Sequence, residues 1–344
     1  MRLFVSEYIC GGGWAGGQRP ASLVREGAAM LRALLGDLLR MPALRIVTTW
    51  DRRLDSTLGL ASDRLEVISV AGPSEERDLF TRLCSETDAA YVIAPELDDE
   101  LSRRCLITHT LSPDARNCDV EAVDLCGDKW ALYEHFQRYK IPTIPTRLAA
   151  AFEQVASLAW PRVLKLRMGA GSQAMQLVSS PTAWNHAVNQ YDSTNRCTEA
   201  ITQTWIRGQA VSIGVIIDRG GLVHQLPMAD QFVDPLRGFV YLGGRIPSRA
   251  ATVGWNSLLH ETLSTIAGLR GYVGVDLLIP DSSPEAPLIV EINPRLTTSF
   301  AGYQKLCRDN LAALWMGDEA IPLALQWEPG CVEFDSAGEC CTCT

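Results

Sequence analysis

The spacing of apolar residues changes character one third of the way along this chain, and that change limits the folds open to it. Before residue 115, short apolar runs alternate with helically spaced stretches. Leu3-Phe4-Val5 ends at Gly11-Gly12-Gly13, and Glu26 to Leu39 follows with helical spacing. Arg45 to Trp50, Leu65 to Val70 and Ala89 to Ala94 read as three further strands, and Ser74 to Ser85 fits a crossover helix. Strands alternating with helices imply a small parallel α/β sheet over residues 1–115. Further on, Asp128 to Tyr139 reads as a helix, Ile141 to Pro145 as an extended link and Arg162 to Leu166 as a strand entering the glycine loop Met168 to Ser172. Pro181 to Tyr191 is helical in pattern. From Ala200 the strands turn long and β-branched: Ile201 to Ile206, Val211 to Ile217, Gly238 to Leu242, Tyr272 to Ile279 and Leu288 to Ile292. Their two-residue alternation, and the tight turn Asp218 to Gly221, point to an antiparallel sheet, with a helix at Asn256 to Leu269.

Composition removes several function classes. The net charge of -9 argues against a nucleic-acid partner, although a few placed cations suffice for one triphosphate. No apolar run is long enough to span a membrane, and the first residues lack a secretory signal pattern, so a cytoplasmic protein is expected. Of eleven cysteines, most sit singly in apolar segments, as reduced core thiols do. The end, Glu339 to Thr344, is cysteine-rich; its spacing would suit a soft metal, yet no paired His/Cys accompanies it, and residues 329–344 read as a mobile tail without function. The five histidines show no paired spacing and receive no role.

Three segments carry chemistry. In Leu288 to Arg295, Glu291 and Asn293 lie two apart and share a strand face, which Arg295 continues if the chain stays extended past Pro294. Oxygen and charge on one side of an apolar strand suit magnesium bridging a triphosphate, and Asp276 on the preceding strand offers a second carboxylate. A buried Glu–Arg ion pair would place the same residues. Lys165 is a lysine inside an apolar strand and needs a partner; the loop after it, with Gly169, Gly171 and Ser172, brings backbone N–H groups toward an anion. An ordinary hairpin turn fits the loop too. Lys129 opens a helix and adds a second cation. Gln203, Trp205 and Ile206 sit where a strand stops and resumes, as at an adenine edge, but the segment also reads as plain core.

In this order the pieces resemble the ATP-grasp superfamily, over Asp128 to Arg295, with the α/β domain standing where a preceding lobe usually lies. The resemblance implies α/β plus α+β architecture: an ATP-grasp fold with an N-terminal Rossmann-like pre-ATP-grasp domain (1–115), a small lobe (116–195) and a large lobe (196–328). It implies that Lys129 and Lys165 contact phosphates and that Gln203 to Ile206 form the adenine hinge, with Gln203 where an acidic residue is more usual. It further implies that Asp276, Glu291 and Asn293 ligate Mg2+, with Mn2+ as a substitute ion, and that Arg295 steadies the transferring phosphate. Aspartate at 276, where the family often has glutamate, shortens the reach to the metal. Ser6 to Gly13 and Glu291 to Phe300 narrow the resemblance to the ATP-grasp ligases of methanofuran and related coenzyme synthesis. The chemistry so implied is ATP-dependent, ADP-forming carboxylate–amine ligation through an acyl-phosphate, with glutamate and tyramine or tyrosine as small-molecule substrates and a homodimer as an open option. A carboxylase-like or peptide-ligating relative, or a non-catalytic ATP-binding regulator, remain as alternatives. An NAD-dependent oxidoreductase fits poorly, because Gly11 to Gly17 does not match Gly-x-Gly-x-x-Gly. On the substrate side, Glu7, Tyr8 and Trp14 flank the glycine turn and offer contacts to an amine or aromatic ring, and Arg245 offers one to a carboxylate; packed aromatics and a surface arginine are equal readings.

Overall fold

The computed structural model describes residues 1–17, 19–149, 158–169, 174–192, 200–250, 255–316 and 324–343. Leu3, Phe4 and Val5 are wholly buried, so the first strand is covered on both faces, as a parallel sheet between helix layers requires. Four strands, β1 (Arg2–Glu7), β2 (Arg45–Asp51), β3 (Leu65–Val70) and β4 (Ala89–Ile93), pair in parallel in the order β3-β2-β1-β4. Helices α1 (Ala21–Leu38), α2 (Pro73–Glu86) and α3 (Glu100–Leu111) complete this domain. Strand β1 has β2 on one side and β4 on the other, so the order reverses there. An open α/β sheet binds ligands at such a point, outside the carboxyl ends of the strands. Glu7 and Ile93 end β1 and β4 opposite each other.

Two helices, α4 (Val120–Gly127) and α5 (Lys129–Tyr139), lead into a small antiparallel sheet of order β5-β8-β6-β7. Its members are β5 (Thr146–Leu148), β6 (Arg162–Leu166), β7 (Gln176–Val178) and β8 (Ala200–Thr204), with α6 (Pro181–Asp192) packed on them. Because β8 pairs with β6 and β5, this sheet runs past the expected boundary at residue 195. The large sheet has the order β14-β13-β9-β11-β12-β15-β16, with β10 (Val223–Gln225) beside β9 (Gly208–Ile217). The others are β11 (Ala229–Asp234), β12 (Val240–Ile246), β13 (Gly271–Pro280), β14 (Leu288–Asn293), β15 (Cys331–Asp335) and β16 (Cys340–Cys343). Helices α7 (Trp255–Ser264), α8 (Ser299–Leu306) and α9 (Leu311–Met316) cover it. The turn Asp218 to Gly221 closes the β9–β10 hairpin, where the Asp218 carboxylate accepts the N–H groups of Gly220 and Leu222.

The expectation of a mobile tail is overturned. Strand β15 pairs with β12, and β16 pairs with β15, so the cysteine-rich end is an ordered hairpin at the edge of the large sheet. Alternation of buried Val332 and Phe334 with outward Glu333 and Asp335 is what holds it there; the tight cysteine spacing had hidden that period.

The parallel domain is welded to the large lobe rather than tethered. Tyr91 of β4 meets Trp315 of α9 with ring centroids 6.0 Å apart, and Asn310 donates to the Asp37 carbonyl at the end of α1 at 2.7 Å. On its other flank the Gly11 to Gly13 turn borders a cavity of about 350 Å³ lined by Gly13, Tyr8 and Arg104; the Tyr8 ring lies over the Arg104 guanidinium at 4.8 Å, and Phe80 lies at 4.5 Å. Arg104 is 1% exposed and donates two 2.7 Å hydrogen bonds to Glu76 and a third bond to Glu100. Breaking such a buried pair strands a charge. Glu76→Ala is therefore expected to cost about 3–5 kcal/mol in urea unfolding; a loss below 1 kcal/mol would mean the guanidinium finds water or Glu100 at no penalty. Among the described residues no helix is long and apolar enough to cross a membrane.

Candidate active site

The small and large sheets bring their charged residues toward one cleft. Lys165 lies on β6 and is 4% exposed, in a row of apolar neighbours. Burial pulls its ammonium down to about 8, and the charge of nearby Lys129 pulls the same way; Glu291 and Asp276 push back toward the charged form. Lys129 occupies the first turn of α5. Its Nζ donates to the Gly169 carbonyl at 2.7 Å and stands 4.0 Å from the Glu291 carboxylate. That position is set by Asp128, which caps the helix by accepting the N–H groups of Trp130 and Ala131. The same carboxylate accepts a two-pronged hydrogen bond from Arg167, so helix start and the exit of β6 are clasped together.

Across the cleft, the burial pattern of Glu291 to Arg295 alternates, with Glu291, Asn293 and Arg295 on the more open side. This is the shared face that the two-residue spacing predicts. Asp276 is the direct cross-strand partner of Glu291 on β13. Two carboxylates side by side cannot both ionise cheaply. Burial, then the Glu291 charge, raises the Asp276 carboxyl, while hydrogen bonds from Asn293 (3.0 Å) and Gln231 (2.9 Å) restrain the rise. Burial also acts on Glu291, but Lys129, Lys165 and Arg295 outweigh it and hold this carboxyl below its usual value. A crowded carboxylate pair beside an amide oxygen is a hard-oxygen donor set that suits Mg2+, with phosphate oxygens and water to complete six ligands.

Arg295 departs from its expected setting. Its guanidinium makes a bidentate pair with Glu96, at 2.9 and 2.7 Å, just beyond β4 of the parallel domain. Two of its five N–H groups are thus committed to a carboxylate, and a third bond reaches the Leu296 carbonyl. Glu96 did not stand out in the sequence, although its place after a parallel strand's carboxyl end was a usable signal. Gln231, whose strand β11 was not anticipated, also escaped notice. Beside Arg295 lies a crevice of about 40 Å³ at the β1/β4 reversal point, with apolar walls from Ile9, Leu23, Met30 and Ile93 and carboxyls from Glu7 and Glu26. Burial raises Glu7 to about 7, against hydrogen bonds from Cys10 and Ile9, and burial raises Glu26 as well, against the charge of Arg295. A Cβ on Gly27 would meet the Glu7 carboxylate at 2.6 Å, so α1 can cross here only without a side chain at that position. Glu96→Gln is expected to raise the substrate KM about tenfold while ATP affinity holds, since it frees the guanidinium from the wall of the crevice. Steady-state kinetics check this, and an unchanged KM would leave the pair a structural bracket.

Of the remaining expected site residues, Gly169 has φ +149°, open to glycine far more than to other residues, and offers its carbonyl to Lys129. Gly171 and Ser172 lie outside the described residues. Gln203 is buried on β8, where its amide donates to the Thr146 hydroxyl at 2.9 Å, which directs it into the small sheet. Trp205 and Ile206 form the link from the small to the large sheet; Trp205 packs on Phe239 at 5.5 Å, and its backbone N–H donates to the Pro161 carbonyl. Arg245 points to Cys331 at 3.2 Å, on the far hairpin, and not toward this cleft.

Known proteins share this fold. The model of the ATP-grasp domain matches residues 126–299, and that of the pre ATP-grasp 3 domain matches residues 44–123. A tyramine–L-glutamate ligase from Methanocaldococcus jannaschii is 26% identical over 292 residues, covering 84% of this chain and 81% of that protein. A putative ATP-grasp superfamily protein from Archaeoglobus fulgidus shares the fold with a TM-score of 0.70 at 21% identity, over 97% of this chain and 92% of that one. Biotin carboxylase from Campylobacter jejuni, solved as a beta-gamma-ATP complex, has a TM-score of 0.73 at 19% identity, over 96% of this chain and 74% of that one. With its ATP-grasp match spanning half of its length behind a matching pre-ATP-grasp domain, the chain belongs to the ATP-grasp family.

Proposed function

We propose that this protein phosphorylates a carboxylate with ATP and passes the acyl group to an amine, glutamate and tyramine or a related aromatic amine being the pair. The observation that carries the reading is the convergence of Lys129, Lys165, Asp276, Glu291 and Asn293, from two sheets and one helix, on a single cleft. The chain is an ATP-dependent ligase that forms a carbon–nitrogen bond, and the 26% identical tyramine–L-glutamate ligase supports the finer assignment.

A carboxylate repels an approaching amine until a phosphoryl group neutralises it and supplies a leaving group. The protein's part is positioning and charge compensation. Lys165, protonated at neutral pH, faces the carboxylate pair from the small lobe and is placed to meet phosphate oxygens. Lys129 stands beside it and fixes the Gly169 carbonyl. Asp276, Glu291 and Asn293 would hold Mg2+, which supplies positive charge against the phosphates. Arg295, anchored by Glu96, lines the crevice with its remaining N–H groups and would orient the acid. The apolar crevice wall with Glu7 and Glu26 suits the ammonium end of an amine that has an apolar body. Binding ATP without turnover, as in a regulator, would not call for the lysines and the carboxylates together.

The test is phosphate release by the purified protein with ATP, Mg2+ and paired substrates. Glutamate plus tyramine should stimulate release well above either alone, and bicarbonate or D-alanine should not. Stimulation by bicarbonate or D-alanine instead would move the assignment to a carboxylase or a peptide ligase.

A further inference from the structure

The cysteine-rich hairpin holds a second, unrelated arrangement. Cys331 opens β15 and Cys343 closes β16, and they are direct cross-strand partners. Directly opposed strand residues sit within the Cα separation that a disulfide spans. Arg245 of β12, the neighbouring strand, places its Nη2 3.2 Å from the Cys331 sulfur. The other guanidinium nitrogens, Nε and Nη1, are shielded from solvent with no hydrogen-bond partner. A half-buried cation set against the Cys331 sulfur stabilises its thiolate and repels a metal ion. Among the described residues no group of three or more His, Cys, Asp or Glu side chains is placed to hold a metal ion.

The other thiols show the contrast. Cys10, Cys84, Cys105, Cys118, Cys126 and Cys307 are buried, and burial pushes each thiol up, which makes them inert at neutral pH. Cys331 is partly exposed; the neighbouring Cys343 thiol, then the Arg245 guanidinium, draws its thiol down, while Cys343 is pushed up by the same neighbour. The pair therefore divides into an attacking and a resolving member.

We propose that Cys331 and Cys343 form a redox-active dithiol, which low-molecular-weight disulfides convert to a cross-strand disulfide with Arg245 as the activating cation. The Cys331 thiolate attacks one sulfur of the small disulfide, whose S–S bond breaks and releases one thiolate. The Cys343 thiol then gives up its proton and attacks the Cys331 sulfur, closing the hairpin and releasing the second small thiol. Two protein thiols are oxidised and one small disulfide is reduced to two thiols, so protons and electrons balance. The product ties β16 to β15.

Glutathione disulfide at neutral pH, followed by alkylation and peptide mapping of the full-length protein, tests this. A Cys331–Cys343 crosslink should form, while Cys10, Cys105, Cys118 and Cys126 are alkylated only after denaturation. Cys343→Ser should arrest the reaction with one glutathionyl group on Cys331, and Arg245→Gln should slow Cys331 modification about threefold or more, the lost thiolate being partly offset by greater nucleophilicity. Cys341→Ser, which alters an exposed thiol on the same strand, should leave the crosslink unchanged. The proposal is overturned if Cys331 and Cys343 remain separately alkylable, if Cys341 is the thiol that couples to Cys331, or if Arg245→Gln leaves the rate unaltered.

Discussion

Glu291→Gln should lower ATP-dependent ligation by about 100- to 1,000-fold while the fold and its melting temperature stay close to those of the parent. The substitution keeps shape and removes one negative charge from the point where Lys129, Lys165 and Arg295 converge. Loss of that charge also lifts the repulsion that raises Asp276, so the remaining carboxylate titrates at lower pH in the variant. The defect should appear in kcat at saturating ATP, and higher Mg2+ should recover only part of it. If kcat were unchanged with the protein folded, Glu291 would be a structural counter-ion for the two lysines and the metal assignment would fall.

Lys165→Met should reduce kcat/KM by on the order of 100-fold, because the lost ammonium faces charge that develops in the cleft. The parent's pH profile carries a linked signature. With its pKa drawn down to about 8 by burial, Lys165 is charged at neutral pH and discharges above 8, so kcat/KM of the parent should fall on the alkaline side from about 8. Lys165→Met should lack that limb. The linkage to folding has a definite sign. The folded pKa lies below the unfolded value of 10.5, so between about 8 and 10.5 the unfolded chain binds more protons and stability rises with pH from this group. Burying the charge thus costs stability at neutral pH, and the cost is fully present below about 8. A flat alkaline profile in the parent would show that Lys165 does not act in its charged form.

Much of this site was legible because alternation on a strand is a strong signal. The two-residue spacing of Glu291, Asn293 and Arg295 led to a shared face, and Lys165 within Val163 to Leu166 led to a buried cation needing partners. Both follow from the cost of burying charge, which is local information. What stayed hidden depended on chain packing. Glu96 acquires its meaning only when β4 is brought against the segment after β14, nearly two hundred residues later. Gln203 was expected at the adenine edge, but pairing of β8 with β5 turns its amide to Thr146. Short strands such as β5 and β7 carry too few residues to show a period, and the paired tail hairpin was masked by its cysteines. The parallel domain was read almost strand for strand, since continuous apolar runs bounded by glycine and proline leave little choice.

The most direct test of the account follows oxygen. The carboxylate substrate that stimulates phosphate release should be supplied with its carboxyl oxygens replaced by oxygen-18, together with ATP, Mg2+ and the amine. If the carboxylate is phosphorylated before the amine attacks, each inorganic phosphate released carries one oxygen-18 atom and the nucleotide product is ADP. Phosphate free of the label, or release of AMP and pyrophosphate, would contradict the account.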